Sequence, residues 1–184
     1  MVEFSEFDPR PNLAPPLSAA DGLEIREAVA GDLPALARIA AERDGGDVEA
    51  HERSFRNLLQ ERAQEGRALV LTAILAGEAI GFGKVRYFAP PAESPPNVAP
   101  EGWYLAGLVV TPRFRKRGVG SRLTQARLAW LAARTGCAYS FANALNAVSV
   151  TLHLKSGFHE ITRDFVHPST QFSGGVGILF RADL

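Results

Sequence analysis

The sequence predicts a mixed α/β sheet built in one domain. Three observations carry this. Trp103 to Val110 is an unbroken run of apolar and small residues without alternation, the pattern of a central strand covered on both faces. A basic loop with glycines follows, and then apolar residues at Val119, Leu123, Ala126 and Trp130, the spacing of one helix face. Strand-like and helix-like segments alternate along the rest of the chain, and its last two segments are both strand-like. About seven strands and four helices are expected from this count.

Taken in order, residues 1–22 are rich in proline (Pro9, Pro11, Pro15, Pro16) and unpatterned, and read as a flexible arm laid over the body or over a partner subunit. The domain itself is expected over residues 23–184. Leu23 to Ala28 alternates like a short strand, and Asp32 with Pro34 reads as the cap and first turn of a helix. Asp44-Gly45-Gly46-Asp47 breaks that helix from a second one ending near Glu65. Arg67 to Ala76 and Ala79 to Phe88 read as a hairpin turning at Gly77-Glu78. Gly81 and Gly83 in its second strand read as a bulge or a tight packing contact. Residues 90–100 hold five prolines and are expected to be a poorly ordered surface loop. Pro112 ends the central strand because it has no amide for the ladder. Cys137 to Ala142 is another short strand, followed by a helix over 147–156 with Asn146 as cap and Gly157 just past its end. Phe158 to Val166 and Gln171 to Arg181 close the chain as a hairpin-like pair.

Composition removes several function classes. At 184 residues the chain suits one domain with a proper core. Net formal charge is zero, which argues against bulk nucleic-acid binding. Cys137 is the lone cysteine, so no intrachain disulfide forms, and a cytoplasmic setting fits. No apolar run approaches the roughly 20 residues a membrane helix needs. His51, His153, His159 and His167 show no metal-ligand spacing, so no metal is expected.

The chemistry lies in the loop after the central strand. Arg115-Lys116-Arg117-Gly118-Val119-Gly120 has the form R-x-x-G-x-G. Glycine lets backbone approach a ligand closely, and the first amides of a helix have no intrahelical partner and favour an anion. Between Arg113 and Arg134 stand six Arg and one Lys with no Asp or Glu, which suits a ligand bearing several phosphates. A dinucleotide loop fails because Leu123 occupies the third glycine position, and a Walker loop fails for want of G-K-[ST].

Val110-Thr111-Pro112 with Arg115 to Gly120 resembles the pyrophosphate motif of the GNAT superfamily of N-acetyltransferases. Asn146-x-x-Ser149-x-x-x-His153-x-Lys155-x-Gly157-Phe158 is similar to that family's second cofactor motif, commonly N-x-x-A-x-x-x-Y-x-K-x-G-F. The two motifs stand in the family's order and separation, within an element order matching from Glu24 to Phe158. The resemblance implies a mixed, mostly antiparallel sheet splayed at its central strand. It implies acetyl-CoA as co-substrate, without metal, and an amine acceptor attacked directly in a ternary complex. It carries the pyrophosphate onto Arg115, Lys116, Arg117, Gly118, Val119, Gly120 and Ser121, and the pantetheine arm onto Leu108, Val109 and Val110. Asn146 and Ser149 join the cofactor set.

Catalytic assignments are expectations of the same resemblance. His153 stands where a tyrosine is common, and its reading stays open between proton donor to the departing thiolate, base toward the amine, and wall residue. Tyr104 stands where some members place a glutamate base and is expected to line the site, and Glu101 and Glu27 are the carboxylates to inspect first for that role. Phe165, His167, Gln171 and Phe172 are the candidates for the acceptor side. A coenzyme A-binding module without turnover is the alternative, distinguished by a blocked acceptor cleft. An RNA- or DNA-binding domain would bind with strong salt dependence. The acceptor is not legible, and a homodimer stays open.

Overall fold

The computed structural model describes residues 14–168, 170–172 and 174–184. The described chain forms two compact units, one reaching to Val85 and taking in Gly107–Arg127, the other Arg86–Ala106 with Leu128–Leu184.

In the first unit, β1 (Glu24–Glu27) pairs antiparallel with β2 (Ala68–Leu75), from Glu24↔Ile74 to Glu27↔Leu71. β3 (Glu78–Phe88) begins here after a turn in which Ala76 and Gly77 both take positive φ, 51° and 81°. Positive φ at both central positions is the tight hairpin turn that matches strand twist. The turn therefore sits one residue earlier than Gly77-Glu78. Two helices cover these strands, α1 (Leu33–Asp44) and α2 (Val48–Glu65). Leu33, Leu36, Ile39 and Ala40 of α1 meet Phe55 and Leu58 of α2 and Val70 and Phe82 of the strands in one core. Phe55 and Phe82 meet edge to face at 4.9 Å, a favoured aromatic geometry.

Caps account for the helix ends. Asp47 accepts from the amides of Glu49 and Ala50 at the start of α2, and Gly66 ends it in the left-handed region. Asp32 does not cap α1 as its position suggests. Its carboxylate accepts from Val29 N in a preceding 3-10 turn and is forked by Arg26 at 2.7 and 2.8 Å. Arg26 beside it holds that carboxyl below the usual range.

The second unit is built on β5 (Cys137–Asn143), which pairs antiparallel with β7 (Gly177–Asp183) from Cys137↔Asp183 to Asn143↔Gly177. β6 (His159–Thr162) pairs with the other edge of β7. Both closing strands are shorter than their apolar content suggests. α4 (Ala147–Lys155) begins at Asn146, whose side chain accepts from Ser149 N at 3.0 Å, and the chain leaves it through Gly157 at φ 89°. The proline loop is not loose. Ala99 N donates to Val166 O and Val166 N to Asn97 O, Asn97 bonds Asp164 at 2.7 Å, and Ala99 is fully buried. Those cross-links tie its end at every second residue, which composition alone does not reveal.

β4 (Gly102–Val110) and α3 (Val119–Ala132) continue from one unit into the other. The seven strands follow the order β1-β2-β3-β4-β5-β7-β6, mostly antiparallel, with β4 and β5 parallel. The recorded β4–β5 register consists of two pairs, Tyr104↔Tyr139 and Leu105↔Ser140. Among the described residues no helix is long and apolar enough to cross a membrane.

The buried face of α3 corrects its sequence reading. Val119, Leu123, Arg127 and Leu131 are buried, whereas Ala126 and Trp130 are only partly so. Arg127 is 2% exposed and has no carboxylate. Its guanidinium donates to Leu123 O, Lys84 O and Thr124 Oγ1, and burial pulls its pKa down to about 9. Gly83 makes the room, since a Cβ there would lie 2.9 Å from Arg127 Nε.

Candidate active site

In the first unit, the end of β4 turns into a loop built to expose amides. Thr111 N donates to Ile80 O, and Pro112–Phe114 form a 3-10 turn. Arg115 folds back, its Nε donating to Val110 O at 3.0 Å. Lys116 and Gly118 take positive φ, 61° and 79°, and Arg115 before them is extended. Gly118 satisfies that geometry without strain, whereas Lys116 holds it at a cost typical of functional loops. The first amide to close a turn of α3 is Arg122 N, onto Gly118 O. This leaves the amides of Val119, Gly120 and Ser121 at the open, positive end of the helix.

A cleft of about 140 Å³ lies beside this loop, lined by Val109, Val110, Thr111 and Arg115 on one side and Ile39 and Glu42 on the other. The strand residues on its wall include two of the three predicted for the cofactor arm. Residues 14–22 lie along the loop as well. Leu17 is buried and donates from its amide to Arg117 O, Arg117 Nε donates to Pro15 O, and Arg122 Nε donates to Leu17 O. The part of the proposed arm before Ala14 falls outside the described residues.

The second unit holds the remaining candidates. Asn146, Ser149 and His153 share α4. His153 Nδ1 lies 2.7 Å from Ser149 O and 3.5 Å from Ser149 Oγ, and Nε2 lies 2.6 Å from Ser140 Oγ. The ring stacks on Phe180 at 6° and 5.1 Å and meets the edge of Phe158. Tyr104 is buried against Tyr139, its hydroxyl donating to Pro100 O at 2.7 Å, and burial pushes its pKa well above the ordinary tyrosine value. A proton so held is unavailable to a base role at neutral pH. Glu101 is exposed and accepts from Tyr87 Oη at 2.7 Å. Glu27, in the first unit, is engaged by Arg62 at 3.0 Å.

Three of the four acceptor candidates meet. His167 packs on Phe88 at 4.5 Å and Phe141 at 5.0 Å, and Phe165 and Phe172 lie 5.6 Å apart beside Phe141. Gln171 is exposed. Burial, and then Arg86, pull the His167 pKa down, so its ring is neutral at physiological pH. The sequence reading missed Phe88, Tyr139 and Phe141, which alternate along strands and carry no sign there of a shared cluster. It missed Ser140 and Arg127 because contacts remote in sequence bury them, Leu105 for the serine and Lys84 and Gly83 for the arginine.

The model of the "Acetyltransferase (GNAT) family" matches residues 33–158, more than half of the chain. The chain belongs to the GNAT family of acetyltransferases. This GNAT acetyltransferase is 30% identical over 122 residues to the aminoglycoside N(6')-acetyltransferase type 1 of Klebsiella aerogenes, covering 64% of this chain and 76% of that one. Its fold is similar to that of a ribosomal-protein-alanine N-acetyltransferase from Brucella melitensis, at TM-score 0.67 and 25% identity over 88% of this chain and 99% of the other. It is also similar to a PaiA N-acetyltransferase from Thermoplasma acidophilum solved with coenzyme A, at TM-score 0.61 and 17% identity over 88% and 99%. The GNAT family uses acetyl-CoA and transfers its acetyl group to an amine, and this GNAT member is an acyltransferase. Among the described residues no group of His, Cys, Asp and Glu could hold a metal ion.

Proposed function

We propose that this enzyme moves an acetyl group from acetyl-CoA to a primary amine by direct attack within a ternary complex. The observation that carries the reading is the open α3 terminus, with the amides of Val119, Gly120 and Ser121 unpaired within the helix beside the cleft along Val109 and Val110. Residues Arg115 through Ser121 hold the pyrophosphate, and the chain from Leu108 to Val110 meets the pantetheine arm. Asn146 and Ser149 complete the cofactor set. An amide of β4 polarises the thioester carbonyl, an arrangement worth about 3 kcal/mol where measured. The amine nitrogen attacks that carbonyl, the C–S bond breaks, and coenzyme A leaves as thiolate.

The acceptor must lose its proton first, because an alkyl ammonium of pKa ~10.4 is about a thousandth neutral at pH 7.4. Tyr104, Glu101 and Glu27 are each engaged elsewhere, which favours proton loss to water over a dedicated side-chain base. The acceptor class is a small or peptide primary amine. The K. aerogenes relative is named for an aminoglycoside and the B. melitensis protein for an alanine of a ribosomal protein, so both kinds belong in one panel. Incubating acetyl-CoA with aminoglycosides, polyamines, amino acids and peptides, and titrating free thiol, tests the reading. Release of thiol dependent on an amine is the expected result, and none across the panel overturns it.

The acceptor wall is assigned to Phe165, His167, Gln171 and Phe172. His167→Ala and Gln171→Ala are expected to raise KM for the acceptor about tenfold with little change in KM for acetyl-CoA. Unchanged steady-state constants for both amines and cofactor would place the acceptor elsewhere. His167 also leaves a mark on stability. Its folded pKa is depressed, so the unfolded chain takes up the proton first, near its ordinary ~6.5. The contribution is whole above that pH and lost as pH falls below it. Thermal melts should therefore fall more steeply from pH 7 to pH 5 for the wild type than for His167→Phe.

A further inference from the structure

Residues 15–21 lie ahead of the stretch matched by the family, 33–158, and run as a strap against the loop that opens α3. Leu17 is 4% exposed, and its amide donates to Arg117 O at 2.9 Å. Pro16 packs beside the same loop, its Cβ 3.7 Å from where a Cβ on Gly118 would stand. The strap ends in a turn of its own. Asp21 Oδ2 accepts from Ser18 N at 2.9 Å and from Ser18 Oγ at 2.6 Å, and Leu23 N donates to Ser18 O.

The bond from Leu17 sets the direction of one peptide plane. Arg117 O and Gly118 N–H belong to the same trans peptide, so they point in opposite directions. With its carbonyl held toward the strap, that peptide turns the Gly118 amide away from it. Gly118 O is taken by Arg122 N at 3.1 Å, which pins the residue on its other side. Gly118 N meets no acceptor among the described residues, and so extends the row of amides left open at Val119, Gly120 and Ser121. The strap also holds two arginines. Arg117 Nε donates to Pro15 O at 3.2 Å and Arg122 Nε to Leu17 O at 3.1 Å. Both grips use neutral carbonyl oxygens and Nε alone, so the positive charge and the Nη hydrogens are left for an anion.

We propose that residues 15–18 are a positioning element of the cofactor site, and that Leu17, by holding the Arg117 carbonyl, turns the Gly118 amide toward the pyrophosphate of coenzyme A. The inference rests on the acetyl-transfer reading, which assigns the pyrophosphate to this loop. Without the Leu17 amide, Arg117 O loses its partner and the peptide can flip, because Gly118 has no Cβ to oppose either orientation. A flipped peptide presents a carbonyl oxygen where the anion needs a donor. The loss therefore falls on cofactor binding, ahead of acetyl transfer and apart from the acceptor. A strap that only covered the site would act with the opposite sign, since the cofactor would have to displace it.

Leu17→Pro deletes the amide hydrogen and keeps an apolar side chain, which makes it the direct test. Calorimetry with coenzyme A is expected to show affinity lowered about tenfold. KM for acetyl-CoA should rise by a similar factor, with kcat and KM for the best acceptor of the amine panel changed less than about threefold. Proton–nitrogen spectra supply a readout independent of turnover: coenzyme A should shift the Gly118 amide in the wild type and much less in Leu17→Pro. Should Leu17→Pro fail to fold, the triple variant Pro15→Gly, Pro16→Gly, Leu17→Gly loosens the strap at unchanged length and carries the same expectations. Unchanged affinity in a folded variant overturns the proposal. Tighter binding overturns it too, since the strap would then be a cover, and so does a Gly118 amide that coenzyme A leaves unmoved in the wild type. A wild type that releases thiol while the variant binds coenzyme A as well as it does defeats this role alone. A wild type that neither binds coenzyme A nor releases thiol removes the acetyl-transfer reading itself, and this role with it.

Discussion

Replacing Gly120 with valine is expected to weaken acetyl-CoA binding at least tenfold while the fold survives. The two halves of that result have separate causes. Gly120 does not have positive φ, and a Cβ there would meet Leu108 Cδ2 at 3.6 Å and Val110 Cγ2 at 4.0 Å, ordinary contacts. Alanine should therefore fold without strain. Those same contacts show which way a side chain would point: toward the strand residues assigned to the cofactor arm. Valine adds two methyl groups where the phosphate must come within hydrogen-bond distance. Calorimetry with coenzyme A, beside a thermal melt of each variant, separates the outcomes. A folded Gly120→Val with unchanged affinity would remove the pyrophosphate from this loop.

Gly81→Ala is the second large effect, and here the loss begins with the fold. A Cβ at Gly81 would lie 2.6 Å from Val109 O and 3.2 Å from Val110 Cα, both backbone atoms with no rotamer to escape through. Overpacking of this kind costs about 3 kcal/mol. For a chain of this size that lowers Tm by roughly 6–12 °C. Relief requires β4 to move away at Val109 and Val110, the residues that line the cleft. KM for acetyl-CoA should therefore rise in whatever fraction stays folded, while KM for the acceptor changes less. A Tm within 2 °C of wild type would mean that the strands are looser here than their contacts imply. Gly83→Ala is expected to be milder, because its obstacle is the Arg127 side chain. Arg127 can give way only by loosening its bonds to Lys84 O and Thr124 Oγ1.

The order and type of the elements were open to reading because each rests on neighbours in sequence. The cap at Asn146 needs only the amide of Ser149, and the stop at Gly157 needs only its own backbone. The loop from Arg115 to Gly120 declares itself by glycines and by charge without acidic residues. Asp32 misled the reading because a strand residue, Arg26, and a tighter turn competed for its carboxylate. The proline loop misled it because composition carries no record of the Ala99–Val166 bonds that pin it.

What the sequence by itself determined is the family-defining segment: central strand, basic glycine loop, helix, and the second motif on a capped helix. Those features are local, set by period, caps and the freedom of glycine. Only the tertiary structure decided what the candidate side chains are free to do. Tyr104 is spent on Pro100, Glu27 on Arg62, and His153 on Ser140 and its own helix. It also turned an arginine into a core residue by giving Arg127 carbonyl partners and a bare glycine to lie against. A side chain's residue type states which hydrogen bonds it can make. Which of them it has already made depends on the register between strands and helices far apart in the chain.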